Sequence, residues 1–175
     1  MRLPGVRSVV IVIVALSAAA CRDRQQQATA YNNSIVEEQE KIVRDMKTLS
    51  AAFASGDTGA MEAGRTALLA TIDGAIERTG ALDPFEGGTE MRDSAKRLFE
   101  FYRKVCEKDY SDIIAVYGKE ERTQEDVDMV ASINERISSD EKQLSDAFLS
   151  AQESFARAQG ITLVENPAAV PAPAP

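Results

Sequence analysis

"TQEDVDMVASINERISSDEKQLSDAFLSAQESFARAQG", residues 123–160, is the stretch that decides the fold. Val130, Ile133, Ile137, Leu144, Phe148, Ala151 and Phe155 recur at steps of three, four or seven, which puts them on one face of an α-helix. Thr123 followed by Asp126 makes a capping-box-like start, and Glu125 and Asp128 add negative charge where the helix dipole favours it. Gly160 supplies the stop. A helix over 124–159 reaches about 54 Å at 1.5 Å per residue.

Three more helices are read upstream. From Tyr31, the residues Ile35, Ile42, Met46, Leu49 and Phe53 form a stripe that "Ser55-Gly56-Asp57" ends, with Glu37 before Lys41 and Glu40 before Arg44 as favourable pairs on the other face. This first helix is about 37 Å long. The last helix is therefore expected to overhang it or to bend, with Ser138-Ser139 the place for a bend. Met61, Leu68, Leu69, Ile72 and Ile76 mark a second helix ending at Gly80, weakened by Gly64 and Gly74. Leu82 to Gly88 reads as a loop whose apolar side chains cap the bundle end, and Thr89 as the N-cap of a third helix running to Gly118.

No strand alternation appears, and the connections are short. The economical fold is all-α, an up-down-up-down four-helix bundle over residues 31–163. Ile161 and Leu163 are expected to dock on it, while the Pro-Ala tail over 164–175 lacks a packing pattern and reads as a disordered spacer.

The other end of the chain carries a different message. Arg2 and Arg7, the run "SVVIVIVAL" and Ala18-Ala19-Ala20 follow the layout of a secretory signal over residues 1–20. The apolar run is too short to span a bilayer, which takes about 20 residues. Cys21 stands where that layout ends, and "Ala18-Ala19-Ala20-Cys21" resembles the lipobox of bacterial lipoproteins. Ala18 holds the place where such motifs usually carry Leu. The resemblance implies a diacylglycerol thioether on Cys21, cleavage before it and acyl chains as the membrane partner, two or more of which make a stable anchor. Residues 21–30 then read as a tether, its nine residues from Arg22 to Ala30 allowing a stand-off of at most about 30 Å. Arg22, rather than Asp, directly after the cysteine implies the outer membrane.

Composition closes off several chemistries. The chain has 20 basic and 28 acidic residues; without Arg2 and Arg7 the mature net charge is −10, so nucleic acid is not an expected partner. There is no histidine. Histidine-based triads, Glu-x-x-His di-iron sites and histidine zinc sites are thereby excluded. With Cys21 acylated, Cys106 has no disulfide partner and reads as a buried, inert thiol. No catalytic, metal or cofactor-binding set is found. The acid runs Glu37-Glu38-Gln39-Glu40 and Glu125-Asp126-Val127-Asp128 lack the glycine-turn pattern of calcium loops and read as outward, solvated faces.

Gln39 and Glu141 intrude on the apolar stripes. They form an interior polar pair if their levels face one another; otherwise Glu141 sits at the edge of a wide face with its carboxylate in water.

The segments "YNNSIVEEQEKIV", "LFEFYRKV" and "DEKQLSDAFLSAQESFARAQGITL" are similar to a bacterial family of uncharacterised, lipid-anchored helical surface proteins, over about residues 31–163. The resemblance implies location and fold and brings no activity. The expected function is a non-enzymatic envelope lipoprotein that contacts an envelope protein partner or has a structural role. The alternative is a small-ligand-binding bundle with Leu82 and Phe85 at its mouth.

Overall fold

A computed structural model describes residues 11–14 and 19–165. The expected leader and Pro-Ala tail therefore lie mostly outside the described residues. The body is all-helical: α1 (Ala19–Ser55), α2 (Thr58–Gly80), α3 (Thr89–Lys104), α4 (Tyr110–Tyr117) and α5 (Gln124–Gln159). A π-helical turn, Val105–Asp109, joins α3 to α4 with right-handed helical backbone at both junctions, so the two make one rod. Among the described residues the bundle thus has four rods.

The main departure from expectation is where α1 begins. It starts at Ala19, not Tyr31, and its 37 residues match the 36 of α5. The expected overhang disappears, and α5 runs as one helix through Ser138-Ser139. Residues 22–30 are not an extended tether but helix. Ala28 is fully buried, while Arg24 and Gln25 bond to the far end of the chain. Polar contacts hold this segment in place, which is why apolar periodicity does not reveal it.

Side chains from all four rods fill the core, among them Ile35, Leu68, Leu98, Phe99, Ile113 and Phe155, each at most 1% exposed. On α1 and α2, Glu38 meets Arg78, Asp45 meets Thr71, and Leu49 lies on Gly64. A Cβ at Gly64 would stand 3.2 Å from Leu49 Cδ1. The glycine that lowers helix propensity therefore lets α1 and α2 approach closely. Across α2 and α3 Arg103 pairs with Asp73 at 3.0 Å. Across the rod of α3 and α4 and α5, Tyr102 meets Glu141, and Arg136 meets Asp109.

The helix ends follow the sequence, with one correction. Asp57 caps α2 by accepting from the Ala60 N–H, and Gly160 ends α5 with φ 65°. Thr89 is not the N-cap of α3; Gly88 occupies that place without a side-chain bond. The reason is Tyr31, whose ring edge would lie 2.6 Å from a Cβ at residue 88 and whose hydroxyl donates to the Gly88 carbonyl at 3.3 Å. Only a residue without a side chain fits beneath that ring. Ile161 is buried and Leu163 packs partly against the core, as expected. A four-residue antiparallel pairing of Ile11–Val14 with Thr162–Glu165 accompanies the bundle and departs from the expectation of no strands.

At the start of α5 the capping box is complete: Thr123 Oγ1 accepts from the Asp126 N–H, and Asp126 Oδ2 accepts from the Thr123 N–H. Thr123→Ala is expected to cost about 1 kcal/mol. In a chain of this size that lowers Tm by roughly 2–4 °C, to be read by thermal circular dichroism.

Candidate functional site

Glu141 and Gln39 are both interior residues, 6% and 2% exposed. The carboxylate of Glu141 is thus not in water at the edge of a face. It accepts a hydrogen bond from the Tyr102 hydroxyl at 2.9 Å. The two residues do not form a pair, and no hydrogen bond joins them among the described residues. Asn32 on α1 bonds Gln152 on α5, and Gln25 bonds the Gly160 carbonyl. Numbers thus fall along α5 as they rise along α1, which puts Gln39 level with Ser145, one turn short of Glu141. The Gln39 Oε1 has no hydrogen-bond partner.

That register exposes a pattern the apolar stripes conceal. Gln25, Asn32 and Gln39 recur every seven residues on α1, and Ser145, Gln152 and Gln159 do so on α5. The seven-residue recurrence of amides was the sequence signal for this row. Asn32 Oδ1 accepts from Gln152 Nε2 at 2.7 Å, and Gln159 bonds Arg24 and the Glu86 carbonyl.

Cys106 is fully buried in the π turn, and burial pushes its thiol up to about 12, with Arg65 a smaller opposing influence. A thiol so rarely ionised is a poor nucleophile. In the turn, the Tyr110 N–H reaches back to the Val105 carbonyl, and Arg65 Nη1 donates to the Cys106 carbonyl at 3.3 Å. Tyr110, beside Cys106, Glu141 and Asp109, is also shifted upward, chiefly by burial. This is a packed polar knot around a thiol that burial keeps protonated.

The acid runs are not uniformly solvated. Glu38 is 6% exposed and receives two bonds from Arg78, at 2.9 and 2.7 Å, and one from Lys41 at 2.7 Å. Burial raises its pKa, but these donors outweigh that and the net shift is downward. Asp126 is likewise buried, in the capping box. Hydrogen bonds from Lys119 and the Thr123 backbone lower its carboxyl to about 2. Both residues are structural ion-pair partners. Among the described residues, no group of three or more His, Cys, Asp or Glu is placed to hold a metal ion.

The end of the bundle that carries Cys21 gathers α1, the 81–88 loop and the end of α5. Cys21 lies in the first turn of α1. Arg24 Nη2 meets Glu86 at 2.6 Å and Arg24 Nε donates to Gln159 at 3.1 Å. Phe85 packs against Tyr31 and Phe155, with ring centroids 5.4 and 5.6 Å away, so the loop does cap the bundle. An open depression of about 420 Å³ lies here, lined by Asp23, Arg24, Gln27, Pro84, Phe85 and Glu86. Leu82 does not line it; it packs partly on the core.

The chain matches no family model, no curated protein and no solved structure. Its chemistry is therefore read from the residues alone: a buried carboxyl, an amide row and, at the end that carries Cys21, a shallow polar depression.

Burial raises the pKa of Glu141, only partly offset by the Tyr102 bond. A raised carboxyl favours the protonated fold, so stability falls as pH rises from the unfolded pKa through the folded one. Glu141→Gln keeps an acceptor for Tyr102 and removes the buried charge. It is expected to stabilise the protein more at pH 7.5 than at pH 4, measured by urea unfolding at both; an equal change at the two pH values contradicts the assignment.

Proposed function

We propose that the mature protein is a lipid-anchored lipoprotein of the bacterial envelope, fixed by Cys21, non-enzymatic, and used for contact with an envelope protein or for envelope structure. One observation carries it: Cys21 directly follows a signal-like leader and lies in the first turn of a helix that enters the bundle without a break. No helix among the described residues is long and apolar enough to cross a membrane, so acyl chains would supply the attachment. The family resemblance belongs to the same reading, as does an outer-membrane location from Arg22. The up-down-up-down topology is proposed with it, supported by the descending pairings of α1 with α2 and of α1 with α5.

The helical start of α1 changes the geometry of this proposal. Residues 22–30 rise only about 14 Å as helix, against about 30 Å extended. The bundle then stands close to the bilayer, with the 81–88 loop on its membrane side. Under the proposed cleavage, Ile11–Val14 leave with the leader, so their pairing with Thr162–Glu165 belongs to the precursor.

The second reading, a small-ligand-binding module, is favoured by the depression beside Phe85. Native mass spectrometry of protein from its own source separates the two. A retained small molecule supports the module; an unliganded mass with co-purifying proteins supports the contact role.

Anchoring itself has a direct test. Intact-mass analysis of the natural product is expected to show a chain beginning at Cys21 with diacylglycerol attached, and Cys21→Ala to shift the protein from the membrane to the soluble fraction. A soluble chain with a free thiol at residue 21 refutes it.

A further inference from the structure

The four rods meet at four joints, and these are not built alike. The α1–α2 joint has the two-pronged Arg78–Glu38 bond and the close approach at Gly64. The α2–α3 joint has Arg103–Asp73 at 3.0 Å, and Arg65 on the π-turn carbonyl. The α3–α5 joint has the buried Tyr102–Glu141 bond and Arg136 on Asp109 at 2.6 Å. Charge-assisted bonds of this kind are roughly twice as strong as neutral ones.

The α1–α5 joint differs in three ways. It is the least extensive of the four. No connecting loop closes it, since it joins the first helix to the last, though the pairing of Ile11–Val14 with Thr162–Glu165 ties the chain beyond the Cys21 end of the joint. Its facing row is Gln25, Asn32 and Gln39 against Gln159, Gln152 and Ser145, neutral polar groups where a bundle ordinarily places apolar ones, with a charge-assisted bond from Arg24 to Gln159 at the Cys21 end. The row is also incompletely satisfied. Gln39 and Gln152, 2% and 1% exposed, each leave a buried amide oxygen without a partner, as do Gln25 Oε1 and Ser145 Oγ. Each such oxygen gives up hydration in the closed state without a hydrogen bond from the protein in return. Opening the joint returns these groups to water, at the expense of the Asn32–Gln152 bond. A polar row of this kind still fixes register, because a shifted pairing would set amides against Ile35 or Phe148.

We infer that the α1–α5 joint is a built-in opening seam: the bundle parts there, hinging on α2 and α3, without unfolding. The opening exposes the interior amide row at Asn32 and Gln39, while the Arg24–Gln159 and Gln25–Gly160 bonds keep the Cys21 end in register.

Thiol labelling with iodoacetamide along a urea series tests this on the full chain, with sites resolved by peptide mass spectrometry. Gln152→Cys places a reporter in the row, and Cys106, fully buried in the π turn and outside the row, is the control. The expected result is labelling at residue 152 that changes less than about threefold below the unfolding transition, while Cys106 labelling rises at least about tenfold over the same range, following global unfolding. Labelling at both sites with the same steep urea dependence overturns the seam. If Gln152→Cys does not fold, Ser145→Cys, close to the original in size, carries the same pair of outcomes. Replacing Gln39 with Leu in the reporter background is expected to slow residue 152 labelling; a rate unchanged or faster counts against the seam.

Discussion

The hydrogen bonds from Arg24 and Gln25 to Gln159 and Gly160, tightened by Gln159 on the Glu86 carbonyl, are the constraint on which the molecule depends. They join the first turns of α1 to the last turn of α5 and to the only long loop among the described residues. With that knot in place α1 and α5, of 37 and 36 residues, lie alongside one another, and Tyr31 falls over Gly88 and against Phe85 and Phe155. No single bond in the knot is strong, and the Arg24–Glu86 ion pair is exposed enough to be worth little alone. Their effect lies in register, since together they admit one alignment.

The interior uses charge in two ways. Glu38, Asp109 and Asp126 are buried carboxylates that face Arg78, Arg136 and Lys119 respectively, and each of these pairs ties one segment to another. Glu141 faces a phenol instead. An acidic chain that spends its buried carboxylates on pairs tying segments together leaves the remaining negative charge outside. This division suits a protein whose membrane affinity would come from acyl chains.

Much of the helical body was legible because apolar spacing and end signals agreed over residues 123–160: the capping box, the stripe from Val130 to Phe155 and Gly160 all stand as read. The burial of Cys106 and the capping role of Phe85 were legible for the same reason. The early start of α1 was not. Residues 22–30 present only Ala28 to the core, and a helix held by arginine and glutamine contacts carries no apolar period. Thr89 looked like a cap because hydroxyls favour that place, but the ring of Tyr31, distant in sequence, decided for Gly88. Glu38 read as solvated from its acidic neighbours, and only the position of Arg78 on α2 made it interior. Gln39 and Glu141 were recognised as intrusions, but the offset between their levels is set by the Asn32–Gln152 alignment, which belongs to the assembled bundle.

The π turn at Val105–Asp109 has one more consequence. It holds a surplus residue relative to an α-helical count and absorbs it within one wide turn, so the two halves of the rod stay in phase. Tightening that turn to ordinary helix with all its residues kept would rotate Tyr110–Tyr117 by roughly 100° about the axis and carry Ile113, Ile114 and Val116 off the core face. The widened turn, whose Cys106 carbonyl Arg65 meets, is therefore what lets both halves of this rod turn their apolar side chains to one core.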